Sequence, residues 1–144
     1  GVLLDSALTP EMLDSIFYPN SPLHDGGVVI RADRIMYASC IFPLTRRLDV
    51  NRTLGTRHRA AIGLSEETDA IVVIVSEETG DISYCHAGAL HSNVSVKQLK
   101  DFLTEKLKAD TAPVEKQTFM ARVKDSLRDL GQIINKKLRP KDHA

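Results

Sequence analysis

Two short segments hold the residues best able to do chemistry: Leu23-His24-Asp25-Gly26-Gly27 and Leu54-Gly55-Thr56-Arg57-His58-Arg59. Asp25 stands at a loop-to-strand junction, just ahead of Val28-Val29-Ile30. A carboxylate there can hold a divalent cation or accept a proton from a hydroxyl, and paired glycines let a ligand lie against the main chain. Gly55 and Thr56 fall where a helix starts, so unpaired amides and the helix dipole favour an anion. Arg57 and Arg59 add forked donors that match phosphate oxygens. Residues two apart on a helix do not share a face, so one guanidinium is expected to meet the ligand while the other orients a loop. Ser76-Glu77-Glu78-Thr79 supplies further carboxylates. Carboxylate with imidazole suits magnesium, manganese or cobalt better than a thiolate-bound zinc. Metal-binding acid, close backbone and fixed positive charge are together what a nucleoside triphosphate requires.

These residues need elements to place them. Thr9-Pro10-Glu11 is an N-terminal helix signal, and Met12, Leu13, Ile16 and Phe17 line one face of the helix that follows. Pro19-Asn20-Ser21-Pro22 ends it and delivers the chain to His24 and Asp25. Strands are expected over 27–31 and 34–42, with Ala32-Asp33 as the turn. The stretch 45–53 reads as polar and irregular, with Arg46, Arg47 and Arg52 exposed. Thr56 is expected to cap a helix from about Arg57 to Glu67. Ala70 to Val75 is apolar throughout, which predicts a central strand buried on both faces. Ile82 to His86 returns as a strand, and His86 and His91 flank a loop at Ala87-Gly88-Ala89. Ser95 and Gln98 form a capping box for a helix carrying Val96, Leu99, Phe102, Leu103 and Leu107. The loose alternation predicts an α/β fold, a central mixed sheet with helices on both faces. Residues 1–109 read as the catalytic domain and 110–144 as a C-terminal helical extension, with a heptad stripe at Met120, Val123, Leu127, Leu130 and Ile134.

Composition narrows the functions. The chain has 144 residues, 42% hydrophobic and 26% charged, with a formal net charge of zero. That balance argues against a broad polyanion-binding face, so no nucleic acid is expected. No apolar run reaches the length of a membrane span. The chain opens on Gly1 and is expected to be a piece of a longer protein. Cys40 and Cys85 sit in strand-like apolar surroundings and are expected to be buried free thiols. Neither a P-loop lysine motif nor GxSxG occurs. Ser-Glu-Glu-Thr occurs at Ser65 and again at Ser76, too close together for a repeat unit. The second copy follows a strand, where ligands of α/β sheets bind.

His24-Asp25-Gly26-Gly27, Gly55-Thr56-Arg57-His58-Arg59 and Ile74-Val75-Ser76-Glu77-Glu78-Thr79-Gly80 resemble the motifs of the diadenylate cyclase (DAC, DisA_N) family. The resemblance covers about residues 3 to 105 and is closest to the membrane-anchored CdaA-type branch. It implies a mixed sheet wrapped by helices and the condensation of two ATP into cyclic di-AMP with release of two pyrophosphates. It implies one ATP per subunit, a face-to-face homodimer and a divalent metal (Mn2+, Mg2+ or Co2+). Carried onto this chain, Asp25 activates the 3′-hydroxyl and helps hold the metal, with His24 and Glu78 as further metal contacts. Gly26 and Gly27 lie against the nucleotide. Gly55, Thr56, Arg57, His58 and Arg59 meet the triphosphate, Ser76 and Glu77 line the same pocket, and Leu23, Ile41 and Phe42 form the adenine slot. Two departures stand out: Gly27 replaces the family's usual alanine, and Ile41 replaces the tyrosine of some relatives. The resemblance also implies a cytoplasmic domain at the inner face of the cell membrane, anchored by segments outside this sequence. The competing readings are a nucleotide sensor without chemistry and an interaction protein acting through the heptad helix.

Overall fold

The computed structural model describes residues 1–51, 53–108 and Arg128. Six strands and three helices occur among them: β1 (Val2–Ala7), α1 (Pro10–Phe17), β2 (Gly27–Arg31), β3 (Arg34–Cys40), α2 (Thr56–Glu67), β4 (Val72–Val75), β5 (Ile82–His86), β6 (Ala89–His91) and α3 (Val96–Leu107). The expected α/β class is the one observed. The sheet is organised differently from the single mixed sheet expected. The strands form two three-stranded antiparallel sheets, one in each of two compact units. Of the described residues, the first unit holds Gly1–Ile41 and 96–108; the second is Phe42–Ser95. The 110–144 extension and its heptad stripe lie outside the described residues, Arg128 excepted, as does Arg52.

In the first unit, α1 starts as its residues demand. Thr9 is extended, its Oγ1 accepts the Met12 amide at 3.2 Å, and Pro10 opens the helix. Leu13 and Ile16 are buried and join Leu8, Ile35 and Ala38 in one core, with Met12, Phe17, Leu23 and Val28 packed around it. Each fully buried side chain of this size contributes about 1.5–3 kcal/mol. The sheet order is β1-β3-β2. β1 carries no clean alternation, and the reason is visible. Its register slips between Leu3↔Tyr37 and Ser6↔Ile35, around Asp5 at φ +48°. Arg34 holds this bulge, with Nε donating to Asp5 Oδ1 at 2.5 Å and Nη2 to the Asp5 carbonyl. The expected turn joins β2 to β3, with Ala32 at φ +53°. Helix α3 buries Leu99 and Leu103.

In the second unit, α2 packs on a sheet of order β4-β5-β6. Ala61, Ile62, Ile74 and Cys85 form the core, with Val50, Leu54, Val72 and Leu90 against it. β4 is an edge strand of this sheet, not the central strand its apolar run predicts. It spans only four residues, Ile74 alone is buried, and Val73 is 37% exposed. An unbroken β-branched run states strand propensity but not how many faces are covered. The Ala87-Gly88 loop is a two-residue hairpin turn with both residues at positive φ, the geometry that fits the twist of the flanking strands. It creates the short strand β6, on which His91 stacks against Tyr84 with ring centroids 4.5 Å apart. Cys40 and Cys85 are both buried and free, as expected. Burial, then the nearby Glu66 charge, pushes the Cys85 thiol up to about 11, so it stays protonated and unreactive at neutral pH.

The irregular segment after Phe42 is stitched to α2. The Thr45 amide donates to the Arg59 carbonyl at 3.0 Å, and its buried hydroxyl donates to the Glu66 carboxylate. Arg47 bridges Asp49, Glu66 and the Gly88 carbonyl. Gly63 makes this fit possible: a Cβ there would lie 2.8 Å from both the Pro43 carbonyl oxygen and the Thr45 amide nitrogen. Gly63→Ala is therefore expected to destabilise the protein by about 1–3 kcal/mol, the usual cost of overpacking. Urea unfolding checks it, and an unchanged midpoint would show that the segment moves aside freely.

Candidate active site

The candidate acid and its neighbours belong to the first unit. After α1 the chain turns at Asn20, at φ +65°, and Ser21 organises the next residues. Its hydroxyl accepts the Leu23 amide at 3.2 Å, and its carbonyl accepts both the His24 amide at 3.3 Å and His24 Nδ1 at 2.6 Å. A carbonyl can only accept, so Nδ1 donates this bond, and in the neutral ring Nε2 is the nitrogen left to present a lone pair. Asp25 follows, exposed, and Gly26 takes φ +103°. The need for glycine at 26 comes first from the fold itself, since a Cβ would sit 2.6 Å from the Cys40 carbonyl oxygen. Gly27 then pairs with Cys40 at the start of β2. Of the expected adenine slot, Leu23 rests on the core of the first unit and Ile41 is 77% exposed. Phe42, half-buried, opens the second unit.

The candidate anion-binding residues belong to the second unit. Gly55, not Thr56, is the N-cap of α2: it is extended at φ −66°, ψ 169°, and Thr56 is the first helical residue. No side chain caps this helix. The first intrahelical bond of this turn runs from the Arg59 amide to the Gly55 carbonyl. The amides of Thr56, Arg57 and His58 therefore keep their outward-facing donors for an anion. A Cβ on Gly55 would meet nothing within 4 Å, so packing does not demand glycine here, and the space beside the helix start is open. Arg57 Nη2 donates to Glu77 Oε1 at 2.6 Å, tying this start to the turn after β4. Ser76 shapes that turn, its hydroxyl accepting the Thr79 amide at 3.2 Å and its carbonyl the Gly80 amide at 2.9 Å. Thus Gly55, Thr56 and Arg57 gather with Ser76 and Glu77. Arg57 is the guanidinium that orients a loop, while no partner of the Arg59 guanidinium occurs among the described residues. The Arg57–Glu77 pairing gave no local sequence signal, because twenty residues separate the partners.

Among the described residues no three His, Cys, Asp or Glu side chains are grouped closely enough to enclose a metal ion. The donor chemistry of His24 Nε2 and the open Asp25 still fits a divalent cation, because such ions commonly complete their shell with water and substrate phosphate oxygens.

In an α/β fold, the uncapped helix start beside a strand-end turn is a ready anion site in one unit, and the other unit carries a loop acid ahead of a strand. Comparison with known proteins agrees. The family model described as DisA bacterial checkpoint controller nucleotide-binding (DAC) matches residues 1–90. Cyclic di-AMP synthase CdaA of Bacillus subtilis is 43% identical over 111 residues, 77% of this chain and 41% of its own length. Diadenylate cyclase CdaS of Bacillus thuringiensis is 51% identical over 92 residues, 64% of this chain and 46% of its own. A crystal structure of DacA from Staphylococcus aureus, a double mutant, superposes with a TM-score of 0.70 at 45% identity, covering 73% of this chain and 70% of that one. A structure described as a hypothetical membrane spanning protein from Bacillus cereus gives 0.64 at 49% identity, covering 66% of this chain and 47% of that one. The chain belongs to the DAC family, that of the diadenylate cyclases. It spans less than half the length of the two curated relatives named above.

Proposed function

We propose that this chain is the catalytic part of a diadenylate cyclase, joining two ATP into cyclic di-3′,5′-AMP and releasing two pyrophosphates. The observation that carries the reading is the uncapped start of α2, with Arg57 locked to the Glu77 turn and open space at Gly55, in a chain of this family. Each 3′-oxygen bonds to the α-phosphorus of the facing ATP as the bond to pyrophosphate breaks. Asp25 takes the 3′-hydroxyl proton. The amides of Thr56, Arg57 and His58 and the Arg59 guanidinium hold the triphosphate charge, and Ser76 and Glu77 shape the same pocket. Leu23, Ile41 and Phe42 serve the adenine, and Gly26 and Gly27 its sugar side. Cyclases of this family work with a divalent metal; here His24 and Asp25, with Glu78, would hold Mn2+, Mg2+ or Co2+, which when bound neutralises phosphate charge. Nucleophile and electrophile are both substrate, so catalysis rests on positioning and charge.

The test is direct: incubate the protein with ATP and manganese and separate the products. Cyclic di-AMP supports the reading, whereas ATP bound and recovered unchanged would make the chain a nucleotide sensor. Because each subunit holds one ATP, a face-to-face homodimer is required. Activity per subunit should therefore rise with protein concentration through the dimer's dissociation range. Constant specific activity across that range would remove the facing dimer. Among the described residues no helix is long and apolar enough to cross a membrane. The whole protein is proposed to be anchored at the inner face of the cell membrane by segments outside this chain, a reading supported by the description of its Bacillus cereus neighbour.

A further inference from the structure

β3 contains a residue that strands rarely tolerate. Ser39 stands at φ +53°, a left-handed conformation that favours glycine or asparagine and is strained for other residues. Its hydroxyl makes no hydrogen bond among the described residues, so no local side-chain bond offsets that cost. The ladder shows what the conformation does. Gly27 pairs with Cys40 and Val29 with Tyr37, so Val28 alone on β2 faces both Ala38 and Ser39 on β3. This is a bulge, which bends its strand and re-aims the residues beside it. The residue re-aimed is Cys40, whose carbonyl comes so close to Gly26 that only a glycine fits: a Cβ on Gly26 would lie 2.6 Å from the Cys40 oxygen and 2.9 Å from the Ser39 carbonyl carbon. A left-handed residue of β3 and one just ahead of β2 thus press backbone against backbone, and Asp25 is the next residue along.

We propose that Ser39 is a positioning residue whose left-handed bulge sets the Cys40 carbonyl against Gly26 and so aims the Asp25 carboxylate. This rests on the role proposed for Asp25. Residues held in sparsely populated backbone regions cluster at active sites, where the surrounding structure enforces them. Ser39 has no reactive part in this scheme; it acts through the backbone that presents the acid.

The test uses Ser39→Gly, Ser39→Asn and Ser39→Val. Glycine and asparagine accept the left-handed region, while a β-branched residue resists it. Ala32→Val is the control, because Ala32 is also at φ +53° but lies at the turn, the far end of the same ladder. Two readouts are needed: kcat and KM for cyclic dinucleotide formation, and the backbone amide NMR shifts of Asp25, Gly26 and Gly27. Ser39→Val should lower kcat by about tenfold to a hundredfold, the scale for misplacing a catalytic group by a fraction of an ångström to one ångström. KM should change much less than kcat, since most of the triphosphate contacts are assigned to α2 and the aim of the acid bears chiefly on the chemical step. The Asp25–Gly27 shifts should move with kcat. Ser39→Gly and Ser39→Asn should keep both, and Ala32→Val should lower the melting temperature without touching kcat. Ser39→Ala takes the place of Ser39→Val if the latter does not fold. Unmoved Asp25–Gly27 shifts in the valine or alanine variant, or an equal loss of kcat in Ala32→Val, would overturn the proposal. If the unaltered chain makes no cyclic dinucleotide while the shifts still follow residue 39, the cyclase reading falls and the link from Ser39 to Asp25 stands.

Discussion

Asp25→Asn is expected to abolish formation of cyclic di-AMP while ATP still binds. The substitution keeps size and shape but removes the charge and the capacity to accept a proton. A positioned general base contributes roughly a hundredfold to ten-thousandfold on its own, and here the same carboxylate is also assigned to the cation. The loss should therefore lie at or beyond the upper end of that range. The fold should be spared, because Asp25 is exposed and lies outside the hydrophobic core of its unit. Product chromatography gives the first measurement and nucleotide titration the second. Turnover within about threefold of the unaltered protein would take Asp25 out of the mechanism, given what a general base is worth. Lost binding with lost folding would instead mark it as structural.

Arg59→Ala should lower kcat/KM by on the order of a hundredfold, the scale for losing one preorganised charge stabiliser. The two arginines of the helix start are distinguished by the structure. Arg57 is engaged with Glu77 at 2.6 Å, and that exposed pair is worth little by itself. Its contribution is to hold the turn after β4 beside the helix. Arg59 has its guanidinium to offer, while its carbonyl anchors Thr45 through a backbone bond that the substitution leaves intact. A lysine at 59 should recover only part of the loss, because an ammonium cannot reproduce the planar fork. A loss below about threefold, well short of the oxyanion-type scale, would move Arg59 to a structural role.

The local signals in the sequence were enough for several elements, and the reasons are short-range. Thr9-Pro10-Glu11 dictates the start of α1 because cap, fixed proline φ and dipole act within one turn. The buried stripes of α1 and α3 follow from helical period alone. So does the expectation of an anion at Gly55-Thr56-Arg57-His58-Arg59, since any helix start carries unpaired amides. The sequence points to Thr56 as the cap because its hydroxyl is a common capping group, yet Gly55 with its extended backbone takes that place.

What the chain alone left undecided depends on contacts distant in sequence. β1 carries no local strand signal because its bulged pairing is made with β3 and Arg34, far along the chain. The run from Ala70 to Val75 states a strand, but only its place in the order β4-β5-β6 makes β4 an edge. Gly26 reads locally as room for a ligand, whereas the Cys40 carbonyl across the ladder is what requires it. The types of group able to do the chemistry were thus written in the sequence, because composition and one-turn geometry are local properties. Which arginine holds a loop, which glycine makes way for backbone and where a strand ends its sheet were decided only by tertiary structure, because each depends on an atom that folding brings near.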